Sequence, residues 1–115
     1  MASNASRFPA ELLKGTTDLV VLAALRDETL HGYALMQHLR KHSGERFRIN
    51  EGSLYPLLHR LERDGFVVAS TETVRGRERR AYGITEAGLE ELERRRSEWN
   101  DFRAVVEALI EGANS

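Results

Sequence analysis

The apolar positions of this chain change period along its length, and each change marks an element. Leu19 to Leu25 reads Leu, Val, Val, Leu, Ala, Ala, Leu. That run is apolar nearly all round and predicts a helix buried on most sides. Thr16 or Thr17 can cap it, and Asp18 suits its first turn. Before it, Phe8 to Leu13 reads as a short turn closed at Gly15, with Lys14 beside the break. Asp27-Glu28-Thr29 is an exit loop, and His31 to Ser43 is a second helix with apolar contacts from Tyr33, Leu35, Met36 and Leu39. Ser43-Gly44 breaks it. Phe47 and Ile49, alternating with Arg48, make a short extended connector.

The stretch Asn50 to Gly65 carries the strongest helical period. Leu54, Leu57, Leu58 and Leu61 crowd one side, the spacing of a core-facing stripe. Asn50 or Ser53 can cap this helix, and Pro56 favours the later start, because a proline deeper in a helix loses a backbone bond and clashes with the preceding turn. Asp64-Gly65 ends it. Opposite the leucines gather Gly52, Pro56, His59 and Arg63, flanked by Ser53, Tyr55 and Arg60. An ordinary solvated face is richer in Glu and Lys. Hydroxyls, an imidazole and guanidinium groups instead offer hydrogen bonds to phosphates or base edges.

Beyond Gly65 the period drops to two. Phe66 to Thr73 reads as a strand and Glu78 to Ile84 as its partner, with Tyr82 and Ile84 on one face and Val74-Arg75-Gly76-Arg77 at the tip. A last helix starts at Thr85-Glu86 and stops at Gly112. On it, Leu92, Trp99 and Val106 recur every seven residues, and Phe102 and Leu109 fill the complementary seam. A helix this long cannot bury such a stripe alone, and a symmetric dimer is the economical solution. Two helices joined by a short Gly-containing break, then a basic hairpin, have the layout of a winged helix-turn-helix. The expected fold is therefore mainly α with a β-hairpin wing. Residues 1–84 would form the winged helix-turn-helix with its N-terminal extension, and 85–115 the dimerisation helix, as one structural unit.

Composition narrows the chemistry. The 115 residues suit one domain with a single modest core. The chain has no cysteine, which removes disulfides and thiolate sites and fits a reducing cytoplasm. No apolar run reaches membrane-spanning length, and the N-terminus lacks a secretory core. Net charge is only −1, but residues 1–80 hold 13 basic and 10 acidic side chains, while 81–115 hold 4 and 8. The basic part is the part with the donor face. No triad, nucleophilic thiol or phosphate-cradling glycine loop suggests an enzyme or a cofactor. His38 and His42 stand four apart, but no third ligand has metal-site spacing.

Duplex DNA is the expected partner. Ser53 and Tyr55 suit phosphate, His59 and Arg60 phosphate or base edges, and Pro56 lies on the same face. Arg63 can instead pair with Glu62 or Asp64. Arg75 and Arg77 at the hairpin tip can reach backbone or minor groove, better placed than Arg79 and Arg80, which can point to opposite faces. Lys14, His31 and Tyr33 can meet phosphate near helix starts, although Tyr33 suits the core equally.

Four segments then resemble the PadR family of bacterial transcriptional regulators: LLKGTTDLVVLAAL at Leu12–Leu25, LHGYALMQHL at Leu30–Leu39, NEGSLYPLLHRLERDGFV at Asn50–Val67 and RRAYGITEAG at Arg79–Gly88. The resemblance covers most of the chain, and the short C-terminal region is similar to the compact subgroup with one long terminal helix. It implies a homodimeric repressor that binds a palindromic promoter site and is released by a small-molecule effector. In compact relatives the effector sits near the dimer interface beside an aromatic of the terminal helix, and Trp99 corresponds to it here. Trp99, with Phe102 and Val106, serves equally for plain interface packing. The competing function is a winged-helix protein-interaction module that reads no specific DNA.

Overall fold

In a computed structural model of the chain, residues 15–112 are described. Lys14 and the turn expected over Phe8 to Leu13 lie outside them. The leucine stripe Leu54, Leu57, Leu58 and Leu61 sits in the middle of the core, with Leu54, Leu58 and Leu61 fully buried. It belongs to α3 (Glu51–Arg63). Around it pack α1 (Thr17–Arg26), which buries Val21, Leu22, Ala24 and Leu25, and α2 (Gly32–His42), which buries Leu35 and Leu39. Phe47 from the α2–α3 connector is buried too, as its alternation with Arg48 requires.

The start of α3 departs from the expectation. Asn50 is the cap: its side-chain oxygen accepts from the Ser53 N–H at 2.9 Å, and the helix begins at Glu51. Pro56 therefore lies inside the helix, where it removes one backbone bond. The cap and four buried leucines outweigh that loss, so the proline does not delay the helix. The far end closes with a paired return: Gly65 N–H donates to Glu62 O and Phe66 N–H to Leu61 O. That bond pair turns the chain directly into the sheet.

The sheet has three antiparallel strands in the order β1-β3-β2, one more than the sequence suggested. β1 is only Leu30–His31, paired Leu30↔Tyr82 and His31↔Ala81. His31 therefore ends a strand and stands at the cap position of α2, rather than opening the helix. β2 (Val67–Val74) and β3 (Arg77–Ile84) form the hairpin, in register from Val67↔Ile84 to Val74↔Arg77. Its two-residue turn has positive φ at both Arg75 (52°) and Gly76 (78°), the twist that matches a right-handed hairpin.

α4 (Glu86–Glu111) follows, capped by Thr85, whose Oγ1 accepts from the Gly88 N–H at 3.0 Å. The same hydroxyl donates to Gly65 O at 2.7 Å, and the Thr85 N–H donates to Phe66 O. One threonine thus ties the root of α4 to the end of α3. The first turns of α4 pack on α1 and bury Leu92. This corrects Leu92 as a seam residue: it is 2% exposed and fills the protomer's own core. At 1.5 Å per residue, the 26 residues of α4 span about 39 Å.

Candidate nucleic-acid interface

Because the leucines of α3 are buried, the opposite face of that helix is left to solvent. Gly52, Ser53, Pro56, His59 and Arg63 are all exposed along it. The side chains of His59 and Arg63 make no hydrogen bond or ion pair with any described residue. The stripe is a free donor surface about three helical turns long.

Two flanking residues turn away from it. Tyr55 is half-buried and packs against the core, its ring lying over Gly32 at the start of α2. A Cβ on Gly32 would stand 2.7 Å from Tyr55 Cζ and closer still to the hydroxyl, so the absence of a side chain there makes the contact possible. Burial raises the Tyr55 pKa above its usual value. Arg60 is the second departure. Its guanidinium forks onto Asp18 of α1, with bonds of 2.6 and 3.0 Å. Tyr55 and Arg60 thus each have a partner within the fold, while the Arg60 side chain stays 43% exposed.

Asp18 also accepts from Arg95 of α4 at 3.2 Å, and its side chain is only 14% exposed. The Arg60 hydrogen bonds hold its carboxyl below the ordinary carboxylate range against the opposing effect of burial, and Arg95 adds to the lowering. Arg95 in turn donates to Glu91 at 2.6 Å, and Arg94 donates to Glu91 and Glu98. The Arg94 and Arg95 bonds pull the Glu91 pKa down to about 2.

The hairpin register sorts its arginines. Arg80 shares the inner face with Tyr82, lies 5.9 Å over that ring, and bridges to Glu62 of α3 at 3.1 Å. It fastens the wing to the helix. Arg79 falls on the outer face. Arg75 and Arg77, at the tip, and Arg79 are exposed and unpaired among the described residues. His31 is half-buried, with Nε2 3.0 Å from Glu72 Oε1 but outside hydrogen-bond geometry. Glu72 is also the register partner of Arg79, with which it makes no ion pair. Tyr33 is exposed rather than core-packed, and its hydroxyl accepts from Gln37 at 3.2 Å. His38 and His42 stack at 4.1 Å between centroids.

The outer half of α4 carries the remaining apolar surface. Trp99 is 40% exposed and Phe102 and Leu109 more so, with Val106 half-buried between them. Val105 and Ile110 widen the stripe, a feature the seven-residue repeat did not single out.

The profile of the transcriptional regulator PadR-like family matches residues 21–94. The chain belongs to that family. Among curated relatives, transcriptional regulator Rv3488 of Mycobacterium tuberculosis is 41% identical over 78 residues, 68% of this chain and 70% of that protein. Among solved structures, a PadR family transcriptional regulator from Eggerthella lenta superposes with a TM-score of 0.81 at 33% identity, covering 89% of this chain and 88% of the other. A PadR-like regulator from Bacillus cereus gives 0.77 at 32%, covering 90% and 99%. The chain is a PadR-like transcriptional regulator, not an enzyme. The match spans the exposed α3 stripe, the hairpin and the root of α4, and ends before Trp99. In this PadR-like chain, the residues that sequence reasoning missed are Asp18, Glu62 and Glu72. Each is an acid whose partner lies on another element, so no local pattern marks it. No described helix is long and apolar enough to cross a membrane.

Proposed function

We propose that this PadR-like regulator is a homodimeric repressor, with residues 1–84 as the reading unit and 85–115 as the pairing helix. Two copies join through Trp99, Phe102, Val106 and Leu109 and set their α3 helices into successive major grooves of a palindromic promoter site. The observation that carries the reading is the sidedness of α3: leucines wholly inward, and Ser53, Pro56, His59 and Arg63 wholly outward. His59 and Arg63 are the base-edge or phosphate donors, and Ser53 meets backbone phosphate. Arg75 and Arg77 hold the flanking backbone or minor groove. His31 and Tyr33 stand at the start of α2, whose amides add phosphate contacts, and Lys14, outside the described residues, is a further phosphate donor.

Occlusion of the promoter ends when a small-molecule effector binds at the seam beside Trp99. That ring is large, rigid and partly open, and a two-fold axis would bring a second copy of it nearby. The effector acts only through a preference for one dimer geometry over another.

The test is a nuclease footprint on the DNA upstream of the protein's own gene, repeated with His59→Ala and Arg63→Ala. A two-fold symmetric protected site is expected, with each substitution weakening it by about 1–3 kcal/mol while circular dichroism stays unchanged. Absence of any specific site would favour the protein-interaction module. A footprint indifferent to both substitutions would move the reading surface off α3.

A further inference from the structure

We infer that Asp18 is a positioning residue for DNA recognition: it fixes the angle between α3 and α4, and with it the spacing of the two reading helices. The inference rests on the dimeric DNA-binding reading above. Asp18 sits on α1, lines the same cleft as Ser53 and Arg60, and is bonded to α3 and α4 at once. Arg60 of α3 grips it with two bonds, and Arg95 of α4 reaches it with a third. From Arg95 the bonds run on through Glu91 and Arg94 to Glu98, the neighbour of Trp99. A continuous ionic path therefore joins the flank of α3 to the foot of the apolar stripe.

Physical considerations favour geometry over stability as the role of this cluster. Exposed ion pairs contribute little free energy, and burying charge has its own cost. A forked guanidinium–carboxylate pair is strongly directional, however, and here the carboxylate is largely shielded from water. The leverage is large. From Arg95 to Glu111 the helix extends about 24 Å, so a tilt of about 10° moves its tip by about 4 Å. That exceeds the rise of roughly 3.4 Å per base pair that separates one half-site spacing from the next. Packing on α1 and the Thr85 bonds hold the root of α4, and the forked Asp18 pair adds a directional constraint about three turns further out.

The absence of cysteine makes the test clean. Glu51→Cys, at the exposed start of α3, is spin-labelled, and the distance between the two labels of the dimer is read by double electron–electron resonance. The same reading is taken with Asp18→Asn, and with Arg95→Met, which cuts only the α4 leg. The unlabelled chains are assayed on duplexes carrying the footprinted site with one or two base pairs added or removed at its centre. A narrow distance is expected for the parent chain, and a broadened or shifted one for both variants at unchanged helix content. The preference for the native spacing should fall roughly tenfold in both variants, in the range of typical site-to-site couplings. Combining the substitutions should do little more than either alone. A narrow distance and a spacing preference untouched by both variants would overturn the role of Asp18 while leaving the dimer intact. Absence of any inter-label distance in the parent would overturn the dimer reading and this inference together.

Discussion

Gly32 and Tyr55 explain each other. The half-buried ring occupies the space that any side chain at position 32 would fill. Gly32→Ala should therefore destabilise the fold by about 1–3 kcal/mol, as overpacking does, in urea denaturation. The loss should shrink in a Tyr55→Leu background, because the two sites are in contact and their effects are not additive. Arg75 carries two burdens, a positive φ and a charge. Arg75→Asn keeps a residue that tolerates the left-handed turn and removes only the cation. The hairpin should persist, while the slope of log affinity against log salt falls by about one. An unchanged slope would take the tip away from the phosphates. These single-residue roles were legible unevenly. The exposed positions of His59 and Arg63 follow from the leucine spacing alone. The fate of Arg60 did not, because its partner lies 42 residues earlier in the chain, and helical period cannot say which flank finds a carboxylate.

Among the elements, those with several turns or a full alternation were readable. The α3 stripe, the hairpin with its basic tip and the extent of α4 all follow from period and capping. β1 was not readable: two residues carry no period, and its pairing is set by β3, some fifty residues onward. The sequence leaves Asn50 and Ser53 both open as caps for α3, with Pro56 favouring the later; the Asn50 cap and four buried leucines decide for the earlier. At this scale the link from α1 to α4 has a pH signature. Asp18 and Glu91 titrate lower in the folded chain than in the unfolded one. As the pH falls the unfolded chain binds more protons, so the stability they confer is present above the ordinary carboxylate range and is lost on acidification, for Glu91 as the pH falls toward about 2. Thermal melting followed across that range should show a steep decline in the parent chain and a shallower one in Asp18→Asn/Glu91→Gln. Parallel curves would mean that other carboxyls govern the acid limb.

The whole molecule is asymmetric in its chemistry: a basic winged segment at one end and an apolar, acidic-flanked helix at the other. The exposed stripe from Trp99 to Ile110 is a large apolar surface for so small a chain, and such patches mark interaction sites. Phe102→Glu, which puts a charge in its middle, should convert dimer to monomer in sedimentation and weaken DNA binding without unfolding the protomer, because Phe102 lies outside the buried core. The boundary between the winged segment and α4, at Thr85, was legible in the sequence. The thread that joins them through Asp18 was not, since it exists only once three helices meet. The most direct measurement is the mass of the protein–DNA complex on the footprinted duplex, taken by native mass spectrometry or sedimentation. Two chains per duplex are expected for the parent, with that complex lost together in Phe102→Glu and in His59→Ala/Arg63→Ala. One chain per duplex at full affinity, or two chains whose binding ignores both sets of substitutions, would contradict a dimer that reads DNA through α3.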